Sequence, residues 1–317
     1  MRDRVSKVFL FSFAVIIFLM LPLVADRFYV QFASKILVMI IFASSLNLLV
    51  GYCGLVSLGH AAFFGFSGYV LALISPTEAG VNFMLGLLAS VLGAASLAAI
   101  IGSLVIRTKG IFFIMATLAF GEMLFYFFHD TNLAGGSDGI YINHRPVLDL
   151  VSFSTDFSNA NHFYFLALIS TIITVVFLRI LLKSPFGKAI VGIHINEHRM
   201  RAIGYETYLH KLICFVIAGG LAGLAGFLSA IQFGAVNPEM MGWHLSGHVL
   251  MMVIFGGLGT LTGPALGAFS LMVLEECFQV TTKHWQLMIG IVIVVVALGL
   301  PKGIAGFFQR TKSEELG

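Results

Sequence analysis

The segment from Ser184 to Lys211, "SPFGKAIVGIHINEHRMRAIGYETYLHK", carries Lys188, Glu197, Arg199, Arg201, Glu206, Lys211 and three histidines. The chain on either side is almost free of charge for about twenty residues, the length of one helical membrane span. This contrast decides the fold class. A Lys or Arg at the bilayer centre costs about 2.5–3.5 kcal/mol, so the four basic residues keep the segment out of lipid while its flanks lie within. Composition agrees. The chain of 317 residues is 59% hydrophobic and 10% charged, against about 25% charged for a soluble domain. The expectation is an all-α integral membrane protein, a polytopic helical bundle of about 8–10 spans with broken or re-entrant segments.

Ten apolar segments qualify as spans: 8–24, 32–50, 55–75, 82–106, 111–129, 162–182, 211–231, 245–257, 264–278 and 286–300. The first is read as a retained helix rather than a cleaved signal, because no clean small-x-small site follows it. The eighth and ninth are short and joined by the Gly-rich run 256–264, which suggests a broken or re-entrant pair; irregular backbone at membrane depth survives only inside protein or beside water. With the N-terminus inside and strict alternation, fourteen of the eighteen Lys and Arg residues fall on the inner side. This positive-inside bias predicts an even number of crossings, both termini cytoplasmic and the 184–211 segment cytoplasmic. The long outer loop spans 130–161. The whole chain is one transmembrane domain, and neither soluble domain nor nucleic-acid partner is expected. Cys53, Cys214 and Cys277 are scattered and suggest neither disulfides nor a metal site.

Within the polar segment, Pro185 and Gly187 break from the preceding span. Ala189, Ile190 and Ile193 follow at helical spacing. Asn196 is a favoured N-cap, and Glu197 suits a helix start. Gly204 ends the next two turns where a left-handed residue is usual. The prediction is two short helices making an elbow, with Met200 and Ile203 available for burial. Its bland reading is a solvated loop that only sets topology; its sharper reading is a docking element for a cytoplasmic partner. His194 and His198 stand four apart, but with no third ligand nearby no metal is expected.

The stretch "FGKAIVGIHINEHRMRAIG" (186–204) resembles the cytoplasmic loop of ABC-type permeases for branched-chain amino acids and their relatives. Other segments match that family in order: "LNLLVGYCGLVSLGHAAFFGFSGY" (46–69), "TLAFGEM" (117–123), "GGSDG" (135–139), "GGLAGLAGFLSA" (219–230), "FGGLGTLTGPALGA" (255–268) and "LPKGIAG" (300–306). The resemblance covers roughly 40–306. One departure is Gly192–Ile193–His194, where the family often has a more basic segment. The resemblance implies a permease subunit of an ATP-driven importer. Its partners would be a second permease chain, making a heterodimer, two cytoplasmic ATPase subunits and an external or periplasmic substrate-binding protein. It would sit in the lipid of a bacterial inner membrane. ATP and Mg would belong to the ATPase subunits. The chain itself has no G-x-x-x-x-G-K-[ST] loop and is not expected to be an enzyme or to hold a cofactor. Coupling to the ATPase would fall to Gly187, Ala189, Asn196, Glu197, Arg199, Met200, Ala202, Ile203 and Gly204. The modal cargo is a branched-chain or other hydrophobic amino acid.

Candidates for the solute path are Asn47, Ser57, His60, Thr117 and Glu122, with Gly257, Gly259 and Thr260 in the Gly-rich turn. Glu122 lies within a span, where a carboxylate marks either function or a hydrogen bond between helices; both readings stay open. His60 among small residues reads more readily as a hydrogen-bonded structural group than as a proton carrier. Gly135, Gly136, Ser137 and Asp138 read first as a turn, and second as part of an outer mouth. Glu275 and Glu276 are expected to face water near an outer helix end. The Gly and Ala runs at 219–230 and 255–268 let helices approach closely. The competing function is a self-sufficient secondary transporter or channel for a small polar solute such as urea or an amide, with Glu122 and His60 as its coupling site. A membrane-embedded enzyme would need a nucleophile–base pair or metal cluster that the sequence does not supply.

Overall fold

The computed structural model describes residues 22, 26–75, 80–131, 134–150, 153–299 and 303–306. The expected first span, 8–24, lies outside the described residues except for Pro22. Helix α1, Arg27–Asn47, continues into one π-helical turn, Leu48–Cys53. An irregular stretch, 54–60, leads to α2, Ala61–Ile74. Then come α3, Phe83–Val105, and α4, Ile111–Asp130. After the loop that follows α4 come α5 (Ala160–Lys183), α6 (Pro185–Ile195), α7 (Glu197–Ala202) and α8 (Thr207–Phe233). The chain continues through α9 (Trp243–Gly256), α10 (Gly263–Thr281) and α11 (Trp285–Gly299).

Five described stretches are long and apolar enough to cross a membrane: Arg27–Cys53, Phe83–Val105, Ile111–Asp130, Ala160–Lys183 and Thr207–Phe233. The protein is an all-α polytopic membrane protein. Two segments form helices of 14 residues, too short to cross the bilayer upright. Segment 55–75 becomes helical only at Ala61, because Gly54 sits in the left-handed region (φ 75°) and Gly59 lies against the backbone of α4. Helix α9 has 14 residues, about 21 Å against a hydrocarbon core of about 30 Å. The Gly-rich run joins it to α10, which has 19 residues, so the expected pair of short segments is one short helix and one longer one.

The core is built around α8, which packs against α1, α2 and α3. Small residues allow this. The Gly219 backbone meets the Ala98 methyl group, Gly223 meets Ala94, and Gly226 lies directly against the Phe64 carbonyl. Ser67 Oγ donates to Gly223 O at 2.5 Å, and Phe63 meets Phe215 edge-on at 5.5 Å between centroids. The opposite surface is apolar and outward-facing: Leu88 and Leu92 of α3, Phe112 and Met115 of α4, Ile291 and Val294 of α11 are all more than half exposed. That is the surface lipid requires.

The span ends sort onto two faces. At one, Lys109 reaches Glu197 at 3.8 Å, which joins the α3–α4 connection to the polar elbow. At the other, Arg145 donates to Phe157 O (3.1 Å) and Gln232 O (3.3 Å), and Gln232 donates to Gln31 O at 2.9 Å. The long loop at that second face takes part in two small antiparallel pairings that periodicity did not reveal. Strand β1 (Ile140–Tyr141) pairs with β4 (Ala235–Val236), and β2 (Val147–Leu150) with β3 (Phe153–Asp156). Strands of two to four residues are too short to display an alternating pattern.

Candidate functional site

The polar elbow folds as local chemistry dictates. Ser184 is extended and its Oγ accepts from Gly187 N at 3.2 Å; Pro185 takes the first helical position, where its missing N–H costs nothing. Ala189, Ile190 and Ile193 are buried on one face of α6. Asn196 caps α7, its Oδ1 accepting from Arg199 N at 3.0 Å. Gly204 closes the turn at φ 93°, and Tyr205 N donates to Met200 O at 3.0 Å. Met200 lays its sulfur over Gly192 and is half-buried. Ile203 does not turn inward as Met200 does: it is 69% exposed, and Ile195, the last residue of α6, is 79% exposed. Arg199 and Ala202 are exposed as well.

Glu197 is the hub. Its carboxylate accepts from Arg201 Nη2 at 2.6 Å, Lys211 Nζ at 2.9 Å and Thr207 Oγ1 at 3.1 Å. Partial burial by itself would raise the Glu197 pKa. The hydrogen bond and charge of Lys211, then the Thr207 hydroxyl and the charge of Lys109, outweigh that and hold it down at about 2. The hub therefore contributes stability that is complete above the ordinary carboxyl value of 4.5 and is lost as pH falls through about 2. A nitroxide on Ile203→Cys, in a chain whose exposed Cys277 is replaced by Ser, is expected to keep constant mobility from pH 7 to about 4.5. It should change little below that and loosen as pH falls through about 2, where the carboxylate takes up a proton. In Glu197→Gln the label should be mobile at every pH, because Lys211, 12% exposed, loses its carboxylate partner. Loosening already near pH 4.5, or a Glu197→Gln label as immobile as the wild type, would refute the hub.

The path candidates fall into two groups joined along α1. In the first, Asn47, 3% exposed, clips the α9–α10 connection. Its Nδ2 donates to Thr260 O at 2.9 Å and its Oδ1 accepts from Gly259 N at 3.1 Å. Thr260 Oγ1 in turn donates to Gly257 O and accepts from Gly263 N. Gly257 and Gly259 both have positive φ, so this connection adopts a bend that other residues resist.

The second group gathers at the irregular stretch before α2. Leu58 N donates to Thr117 Oγ1 at 3.3 Å, and the Gly59 backbone rests on the Thr117 carbonyl. His60 is fully buried and 2.9 Å from Ser45 Oγ. That hydroxyl already donates to Phe42 O, so His60 Nε2–H is the donor to it. His60 Nδ1 and Ser57 Oγ have no partner among the described residues. Ser246 Oγ of α9 accepts from Ala61 N at 2.8 Å. Glu122 Oε1 accepts from Trp243 N at 3.2 Å, at the first residue of α9. Glu122 is eleven residues into α4, about 16 Å from its Ile111 end. Two half-length helices thus begin inside the span, one capped by a Ser and the other by a carboxylate, which suits a positive helix start. Ser45, Trp243 and Ser246 were not singled out from the sequence; nothing local separates them from other Ser and Trp residues in apolar helices.

One further residue differs from expectation. Glu275 does not face water: it pairs with His248 of α9 at 2.5 Å, with 17% of its side chain exposed. Its place between α9 and α10 gives it a partner that a solvent-facing helix end would not. Ser137 and Asp138 remain exposed in a 3₁₀ turn, Gly136–Asp138, and Gly139 packs on Val236. His194 and His198 are joined by no third ligand, and no metal-competent cluster occurs among the described residues.

A helical membrane protein with half-length helices that start inside the span, and with a rigid polar elbow at one face, has the features of a transport permease. The chain belongs to the family described as the branched-chain amino acid transport system permease component, which it matches over residues 28–297; these are permease subunits of ABC-type importers. It is similar to the high-affinity branched-chain amino acid transport system permease protein LivM of Escherichia coli (strain K12), 29% identical over 303 residues that cover 89% of this chain and 71% of the relative. The LivM protein of Salmonella typhimurium is also 29% identical, over 94% of this chain and 75% of its own. The autoinducer 2 import system permease protein LsrC of Photorhabdus laumondii is 34% identical over 98 residues, 29% of each chain. No solved structure gives a significant match.

Proposed function

We propose that this chain forms the membrane path of an ATP-driven importer in a bacterial inner membrane and carries a branched-chain or other hydrophobic amino acid. An external binding protein delivers the solute at the face bearing the Gly135–Asp138 turn. A second permease chain completes the path. Two ATPase subunits dock from the cytoplasm on the elbow, which puts both termini on that side. The cargo follows the two LivM relatives, whose similarity runs the length of the chain, rather than LsrC, which matches a third of it.

One observation carries the reading. The elbow is held rigidly through Glu197 yet presents Ile195, Ile203 and Arg199 to solvent at its tip. A loop that only fixed topology has no use for a capped, ion-paired frame under exposed isoleucines; a docking knob does. The double variant Ile203→Asp, Arg199→Glu leaves the Glu197 hub intact. It is expected to insert normally, to release the ATPase on purification and to lose at least tenfold in leucine uptake. Undiminished uptake with the ATPase still attached would reject the docking surface. Uptake by the purified chain alone in liposomes would reject ATP coupling altogether and favour a secondary carrier.

A further inference from the structure

The elbow touches the rest of the chain at a place that its charges do not explain. His194, in the last turn of α6, is exposed on one side, while the other side of its imidazole lies on Gly54. A Cβ at Gly54 would sit 2.7 Å from His194 Cδ2 and 3.2 Å from Cγ and Nε2. Gly54 ends the π-helical turn, its N–H bonded to Leu49 O, and its φ of 75° suits no other residue well. The ring therefore rests on bare backbone rather than on a side chain that could rotate away.

The far side of that same turn meets the α9–α10 connection. The Gly51 backbone lies against Gly259, and Asn47, at the turn's start, holds Gly259 and Thr260 by two hydrogen bonds. One π turn thus separates the elbow from the bend of the half-length helix α9. The other end of α9 is held by Glu122. A π turn inside an α-helix lacks the regular i to i−4 ladder and is a place where a helix yields or re-registers. Besides the buried Ile190 and Ile193 of α6, the His194 ring thus gives the elbow a contact with the backbone of that turn.

We infer that His194 is a positioning residue, the contact through which movement of the elbow is passed to the π turn of α1 and from there to the α9–α10 bend. The inference rests on the elbow being the ATPase docking site. It adds the route by which docking reaches the path, and it requires the bend to have two arrangements that nucleotide binding selects between.

The test uses the assembled complex with its ATPase subunits, a nitroxide on Leu258→Cys in the exposed bend, Cys277 replaced by Ser, and AMP-PNP as the probe, so that no cargo need be known. The label is expected to change mobility when AMP-PNP binds. In His194→Ala the ATPase should still co-purify and bind AMP-PNP, but the change should be lost. His194→Phe, which keeps a flat ring on Gly54, should restore at least half of it, which a loss of folding or docking would not allow. A full response in His194→Ala, no rescue by Phe, or no response in the parent complex would each overturn the route. Failure of the docking reading looks different: the ATPase would not co-purify with the parent chain at all.

Discussion

Valine at Gly226 is expected to lower the chain's stability by about 3 kcal/mol or more. A Cβ there falls on the carbonyl oxygen of Phe64, a backbone atom that cannot rotate away. Helices α2 and α8 must then separate, breaking the Ser67–Gly223 hydrogen bond and the Phe63–Phe215 contact. Overpacking costs about 1–3 kcal/mol where side chains can yield and more where they cannot. A loss of about 3 kcal/mol corresponds to a fall in melting temperature of roughly 10 °C. Gly247→Ala is the control, since a Cβ there meets nothing within 4 Å, and it should melt with the parent in detergent. An unchanged melting temperature for Gly226→Val would show that α8 does not pack on α2 in this way.

Asn47→Leu has a smaller expected effect on stability and a larger one on transport. It leaves Gly259 N–H and Thr260 C=O without the partner each has now. An orphaned buried backbone group costs about 1–3 kcal/mol. The connection 257–262 would escape that cost by moving away from α1 to find other partners, and the π turn would then have nothing to act on. Uptake by the assembled importer should fall more than tenfold while the chain still folds and still binds its ATPase. Uptake within twofold of the parent would mean that the clip is ordinary packing. A fall matched by equal loss of folded protein would mean the same.

Much of the elbow could be read along the chain because each of its parts acts over a few residues. Pro185 at a helix start, Asn196 at the next cap and Gly204 at the left-handed turn satisfy backbone groups three or four positions away. Any fold that holds this segment in water forms them. The role of Glu197 was different. It reads as a charge at a helix start, but it is turned toward Lys211 and Lys109, the latter 88 residues earlier, and so belongs to the frame of the elbow rather than to its tip.

Hydropathy and composition therefore determined unaided that the chain is a polytopic helical bundle and that segments such as 82–106, 111–129 and 162–182 form its long apolar helices. Those properties are set by transfer free energy, residue by residue, whatever the neighbours are. Only the tertiary structure decided where the helices stop short. Nothing in the apolar run 55–75 reveals that helix begins at Ala61, because the cause is the α4 backbone lying on Gly59. Likewise, Asn47 meets Thr260 across 213 residues, and Glu275 meets His248 on a neighbouring helix. A polar side chain in an apolar run shows only that a partner is needed; which backbone or side chain supplies it depends on how the helices are stacked.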